Sequence, residues 1–159
     1  KLQQVFQYLD AAENSAPEDP EVNLVKGYLD LLLAVNLPFS SPDQAIGRFE
    51  KYAAPSYLVD RGLAIAYRDL NQYDKALQFV DRALQATPDN PELFYLKAQI
   101  LHKQGDRGNN LVLLNQAVQY FDQALAKADL LPKSVLKPLK RERDKTQKSI
   151  DEIRASNKL

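Results

Sequence analysis

The side chains that most often carry chemistry are few in this chain. His102 is the only histidine, and none of the 159 residues is a cysteine. A histidine-based metal site or a Ser-His-Asp triad therefore has little to assemble around. Disulfides and thiolate metal sites are excluded. His102 stands in "ILHKQGD" and is read as a surface or groove histidine that titrates near neutral pH. Two carboxylate pairs stand out, Glu18-Asp19 and Asp151-Glu152. The first lies beside a predicted helix start, where negative charge favours the helix dipole. The second lies on a solvated helix face. Neither has the pocket that fixes two carboxyl groups at a working separation. The glycines, at 27, 47, 62, 105 and 108, build no phosphate loop, because "GDRG" lacks a following Lys-Ser/Thr and a preceding strand. It is read as a turn. No enzyme activity, cofactor or metal is expected.

One charge asymmetry remains. From residue 133 onward, beginning "KSVLKPLKRERDKTQK", nine Lys/Arg face four Asp/Glu, whereas the whole chain balances at 21 and 21. The segment is read either as a solvated helix of mixed charge or as a contact for an acidic protein, RNA or lipid surface. The overall balance gives no global pull toward nucleic acid or anionic membrane, and DNA is not an expected partner. The longest apolar run, "YLDLLLAVNL", is too short to span a bilayer and contains Asp30 and Asn36. No secretory signal pattern opens the chain. The chain contains no Met, and Lys1 reads as a cut inside a longer protein. These features do not fix the compartment, and cytoplasmic is the expectation.

The elements that would position these residues are helices. In "DKALQFVDRAL", Ala76, Leu77, Val80, Ala83 and Leu84 make one helical face. In "PELFYLKAQIL", Leu93, Phe94, Leu96, Ala98, Ile100 and Leu101 make a wider stripe suited to burial on two sides. No useful length alternates with period two. Eight of nine prolines fall between periodic segments, as helix stops or first-turn residues. The spacing predicts an all-α chain with short turns.

The chain also repeats itself. "SAPEDPEVNLVKGY" (15–28) and "ATPDNPELFYLKAQ" (86–99) share Pro, two spacers and Pro-Glu before an apolar run. Aligning Pro17 with Pro88 brings Ala12 onto Ala83, Leu9 onto Val80 and Gly27 onto Ala98. The middle of the chain adds Leu63-Ala64, Tyr67, Ala76, Val80, Ala83 and Pro88. This pattern resembles the tetratricopeptide repeat (TPR), whose signature reads W-x2-L-G-x2-Y, A-x3-F, P over 34 residues. Asp60 stands for Trp, Ala64 for Gly and Val80 for Phe. The resemblance implies a right-handed superhelix of antiparallel helix hairpins, a TPR-like α-solenoid. Small residues let helices A and B approach, and large ones fill the holes between hairpins. Residues 1–14 are expected to be helix B of a truncated repeat, with Val5, Phe6, Leu9 and Ala12 resting on residues 21–34 and Tyr8 left exposed. Residues 18–54 form a degenerate repeat with Ala45, Phe49 and Tyr52 in frame and a serine cap before Pro42. Residues 56–87 match best. Residues 90–130 form an extended repeat around Ala117, Phe121 and Ala124. Residues 132–157 form a basic capping helix with Val135, Leu139, Thr146, Ile150 and Ile153 inward.

By the same resemblance, the A helices line a concave groove. Its positions fall on Glu21, Leu24, Tyr28 and Leu31, on Leu58, Arg61, Ile65 and Arg68, and on Glu92, Tyr95, Gln99 and His102. The binding residues expected are Tyr28, Leu58, Arg61, Ile65, Arg68, Tyr95, Gln99 and His102. Two alternatives stay open: Leu24, Tyr28 and Leu31 pack against the preceding helix, and Arg61 and Arg68 pair with Glu21, Asp69 or Glu92. The Lys/Asn clamp that some family members use for chaperone C-termini is absent, since Leu24, Tyr28, Arg61, Gly62, Tyr95 and Gln99 hold the matching positions. The function read from all this is a scaffold that binds a protein or peptide segment in its groove. Alternatives are a docking domain of an enzyme encoded upstream, or an adaptor acting through the basic C-terminal helix. Self-association through the truncated N-terminal helix is also expected.

Overall fold

The computed structural model describes residues 1–157. Among them are eight α-helices, a single 3₁₀ turn and no strand, so the chain is all-α. They fall into two compact units, Lys1–Ala83 and Leu84–Leu159.

The first unit holds α1 (Leu2–Ser15), α2 (Pro20–Asn36), α3 (Asp43–Lys51), α4 (Tyr57–Asp69) and most of α5 (Tyr73–Ala86). The duplicated Pro-x-x-Pro-Glu stretch is a helix-start device. Asp19 accepts hydrogen bonds from the Glu21 and Val22 amides, and Pro20 occupies the first turn of α2. Asn90 and Pro91 do the same for α6 of the second unit, with Asn90 accepting from the Glu92 amide. The cap satisfies an orphan amide, and the proline has no donor to waste there. The serine cap expected before Pro42 is displaced by one position. Pro42 is the N-cap of α3, and Ser41 Oγ accepts the Asp43 amide from outside it at 3.3 Å.

The core of this unit follows the small-large frame. Ala45, Ala64, Ala76 and Ala83 are fully buried, as is Val80, and Tyr67 stacks on Phe79 at 5.5 Å between centroids. Phe49 is wedged between α2 and α4. A Cβ built on Gly27 would lie 2.5 Å from one edge of its ring, and one on Gly62 would lie 2.6 Å from the other. Only glycine lets both helix backbones come that close.

α1 packs on α2, with Phe6, Leu9 and Ala12 half-buried, while Val5 is exposed and no residue of α1 is fully buried. Tyr8 is exposed, at 76%.

The second unit holds the end of α5, α6 (Pro91–Arg107), α7 (Leu111–Leu125), a 3₁₀ turn (Ala128–Leu130) and α8 (Lys133–Ser156). Here α6 packs on α7, and α8 packs on both. Leu93, Ala98, Ile100, Leu114, Ala117, Phe121, Ala124, Leu139 and Ile150 are fully buried. The stretch "GDRG", read as a turn, is largely helix, because α6 runs on to Arg107. Gly105 serves packing instead: a Cβ there would lie 2.9 Å from Leu114 Cγ of α7. The chain reverses later. Asn109, not a glycine, takes the left-handed conformation at φ 48°, which Asn tolerates better than most residues. Asn110 then caps α7, accepting from the Val112 and Leu113 amides.

Candidate functional site

The site expected along the A helices has parts in both units, and each part has its own surroundings. In the first unit, α2 contributes Tyr28 and α4 contributes Leu58, Arg61, Ile65 and Arg68. Three of these meet. The Tyr28 hydroxyl donates to the Leu58 carbonyl, and the Arg61 guanidinium lies over the Tyr28 ring, 5.7 Å from its centroid. The far side of Tyr28 meets Phe49 edge-on at 5.4 Å. The wedge that spaces α2 and α4 therefore also sets the tyrosine on which Arg61 rests. A guanidinium over an aromatic face is held by the ring quadrupole while its edge still offers donors. Arg68, seven residues on, donates through Nε to Asp69 Oδ1 at 2.9 Å. That is one of the internal pairings weighed as an alternative. Leu58 sits at the exposed end of this face and Ile65 is half-buried. Leu31 is only 4% exposed and belongs to the core.

In the second unit, the same face of α6 is turned to α8. The Tyr95 hydroxyl donates to Glu142 at 2.7 Å, and Gln99 Nε2 donates to the same carboxylate at 3.0 Å. One turn further, His102 Nδ1 lies 2.9 Å from Thr146 Oγ1. The Thr146 hydroxyl gives its proton to the Glu142 carbonyl, so the imidazole Nδ1–H must be the donor toward it. Burial holds the His102 imidazole below its ordinary pKa. The three residues are thus brought together by a carboxylate and a hydroxyl of their own chain. Sequence reasoning missed Glu142 and Thr146, because nothing local links them to residues more than 40 positions away.

A third cluster was also missed. Lys26 of α2, 9% exposed along its side chain, donates to Asp10 at 2.9 Å and to Glu13 of α1. Arg48 of α3 donates to Glu13, to Asp30 at 2.7 Å and to Asn23 at 3.2 Å. Hydrogen bonds from Lys26 and then Arg48 hold the Glu13 carboxyl below the usual carboxylate range. In the repeat frame, Asn23, Lys26 and Asp30 occupy the Trp, Leu and Tyr positions of the first A helix. Polar residues at three apolar positions, with an arginine in the facing helix, were the available signal.

Among the described residues, no group of three His, Asp or Glu side chains could hold a metal ion. A recess of about 230 Å³ beside the α2–α3 turn, lined by Asp30, Leu33, Phe39, Ser40, Ser41 and Gln44, is smaller than small-molecule pockets usually are. No helix among the described residues is long and apolar enough to cross a membrane.

Compared with known families, residues 65–105 match the TPR repeat. The match begins in α4 and ends near the C-terminus of α6. No curated protein and no solved structure matches the chain. Repeats of this family generally mediate contacts between proteins.

Proposed function

For a chain whose residues 65–105 carry a TPR repeat, we propose a non-enzymatic role in binding a protein or peptide segment. The contact surface is the α4 face carrying Leu58, Arg61, Ile65 and Arg68, together with Tyr28 of α2. One observation carries this reading. The α4 face carries an exposed apolar side chain, Leu58, beside a guanidinium seated on Tyr28. Tyr95, Gln99 and His102 then hold the capping helix, and the ligand-reading residues are those of α2 and α4. A fitting segment offers apolar anchors with a carboxylate between them, since a fixed guanidinium pairs best with a carboxylate.

The test is selection of displayed random peptides on the full chain. Selected peptides should carry an acidic residue between apolar ones. They should lose binding to Leu58→Glu and to Arg68→Ala, with circular dichroism and melting showing that both variants fold. Peptides of no common pattern, or equal binding by the folded variants, would count against this face. Binding lost only in Gln99→Ala would move the site to α6.

A further inference from the structure

The outward face of α8 is a second surface, independent of the one above. Lys133, Lys137, Lys140, Arg141, Lys145 and Lys148 are all exposed. At 100° per residue they fall on one side of the helix, opposite the buried Leu139, Thr146 and Ile150. The strip from residue 133 to 148 is about 22 Å long at 1.5 Å per residue. That segment has seven basic and two acidic side chains. One of the two, Glu142, is drawn inward to Tyr95 and Gln99. Asp144 stays exposed on the strip, 3.8 Å from Arg143. The outward side of the helix is thus predominantly positive, in a chain whose formal net charge is zero.

We propose that this strip docks the chain electrostatically on an anionic lipid surface. Three features favour a lipid surface over other polyanions. The strip lies along the outward side of a single helix, which contains Pro138, whereas an extended peptide is best held in a groove. None of the exposed large apolar side chains is on α8, so the strip lacks the buried anchor on which protein interfaces depend. The same lack leaves no aromatic platform on which the bases of a single strand would stack. Five of the six cations are lysines rather than arginines, as suits diffuse attraction to headgroups more than bidentate phosphate or base recognition. Attachment is peripheral, because no apolar side chain is available on this face to insert.

The experiment is co-sedimentation of the full chain with phosphatidylcholine vesicles, with and without phosphatidylserine. Binding should require phosphatidylserine and disappear near 1 M salt, where the Debye length is about 3 Å. Joint replacement of Lys133, Lys137, Lys140 and Arg141 by Ala should lower the partition coefficient roughly a thousandfold. Joint Lys133→Arg, Lys137→Arg and Lys140→Arg should retain it. Because these side chains are exposed, helicity and melting serve as the folding control for both. No binding, equal binding to pure phosphatidylcholine, or equal binding by the folded Ala variant would overturn the proposal. So would tighter binding to duplex RNA at the same salt. Self-association at low salt that the Ala substitutions abolish would also overturn it, placing a second copy on the face.

Discussion

The hairpin α2–α3 and the hairpin α6–α7 are written in the same frame and held by opposite means. In α6–α7, the frame positions Ala98, Ala117, Phe121 and Ala124 are fully buried together, and Leu114 approaches Gly105 without a hydrogen bond among them. In α2–α3, Phe49 fills its expected hole, but Asn23 and Asp30 meet Arg48, and Lys26 meets the Glu13 carboxylate that Arg48 also reaches, where the signature calls for apolar residues. The network then reaches Asp10 and Glu13 of α1, a helix with no buried residue. A repeat frame therefore specifies where side chains meet, and not what chemistry joins them. Apolar contacts tolerate small displacements. A network of partly buried ions depends on every partner, because removing one leaves another desolvated and unmatched.

The comparison can be broken from the apolar side first. Phe49→Ala should cost about 4 kcal/mol, since the cavity is bounded by two helix backbones that cannot collapse into it. A loss under about 1 kcal/mol, measured by chemical denaturation, would mean that α2 and α4 are not spaced by this ring. Next comes the ionic side. Arg48→Ala should cost about 3 kcal/mol, because Asp30 keeps a poorly solvated carboxylate and Asn23 Oδ1 loses a donor. Replacing Asn23, Lys26, Asp30 and Arg48 together by apolar residues of similar volume should instead be near neutral or stabilising. If the joint replacement is as damaging as Arg48→Ala, the network is more than a substitute for packing. In α7, Ala117→Leu should overpack against α6 and cost about 2 kcal/mol. A melting temperature unchanged from wild type would show that the frame is misplaced there.

Acid separates the two regions more gently. The folded pKa of Glu13 is depressed, so the stability it supplies is fully present above its unfolded value near 4.5 and is lost as pH falls through the folded value. Amide-exchange protection in α1, relative to the intrinsic exchange rate at each pH, should therefore fall at acid pH in wild type, and Glu13→Gln should lower it already at neutral pH. His102 is also depressed, by burial, so the neutral imidazole is favoured in the fold. Its contribution is present above pH 6.5 and declines below it, as the unfolded chain takes up the proton first. The smallest effect expected is a modest loosening of α8 between neutral pH and the folded pKa, absent in His102→Gln. An identical pH profile in that variant would remove the histidine from the account.

Much of the fold could be read from local signals. Period, proline placement and the Asp-Pro and Asn-Pro starts locate helices because each depends on neighbours a few residues away. The turn after α6 is not set by a glycine. Gly105 answers instead to Leu114 of the next helix, and Asn109 supplies the left-handed step. The site was harder to read. Tyr28, Leu58 and Arg61 were chosen together and do meet. Tyr95, Gln99 and His102 were chosen by the same rule, yet their polar atoms meet α8, more than 40 residues away. Hydrophobic periodicity is blind to such pairs, and it discounts a lysine at an apolar position, as it did Lys26.

The Phe49 wedge bears on how this chain can diverge. A methyl group added at Gly27 pushes the ring toward Gly62, and one added at Gly62 pushes it back. Neither glycine can become alanine by itself while the phenyl ring remains. With a smaller side chain at 49, one glycine is released and the other follows at little further penalty. Residues 27, 49 and 62 are thus inherited as a set, although they lie on three helices. Among related chains, an alanine at either glycine position should travel with a shorter side chain at 49, and that joint drift would mark the same spacing between helices without any structure in hand.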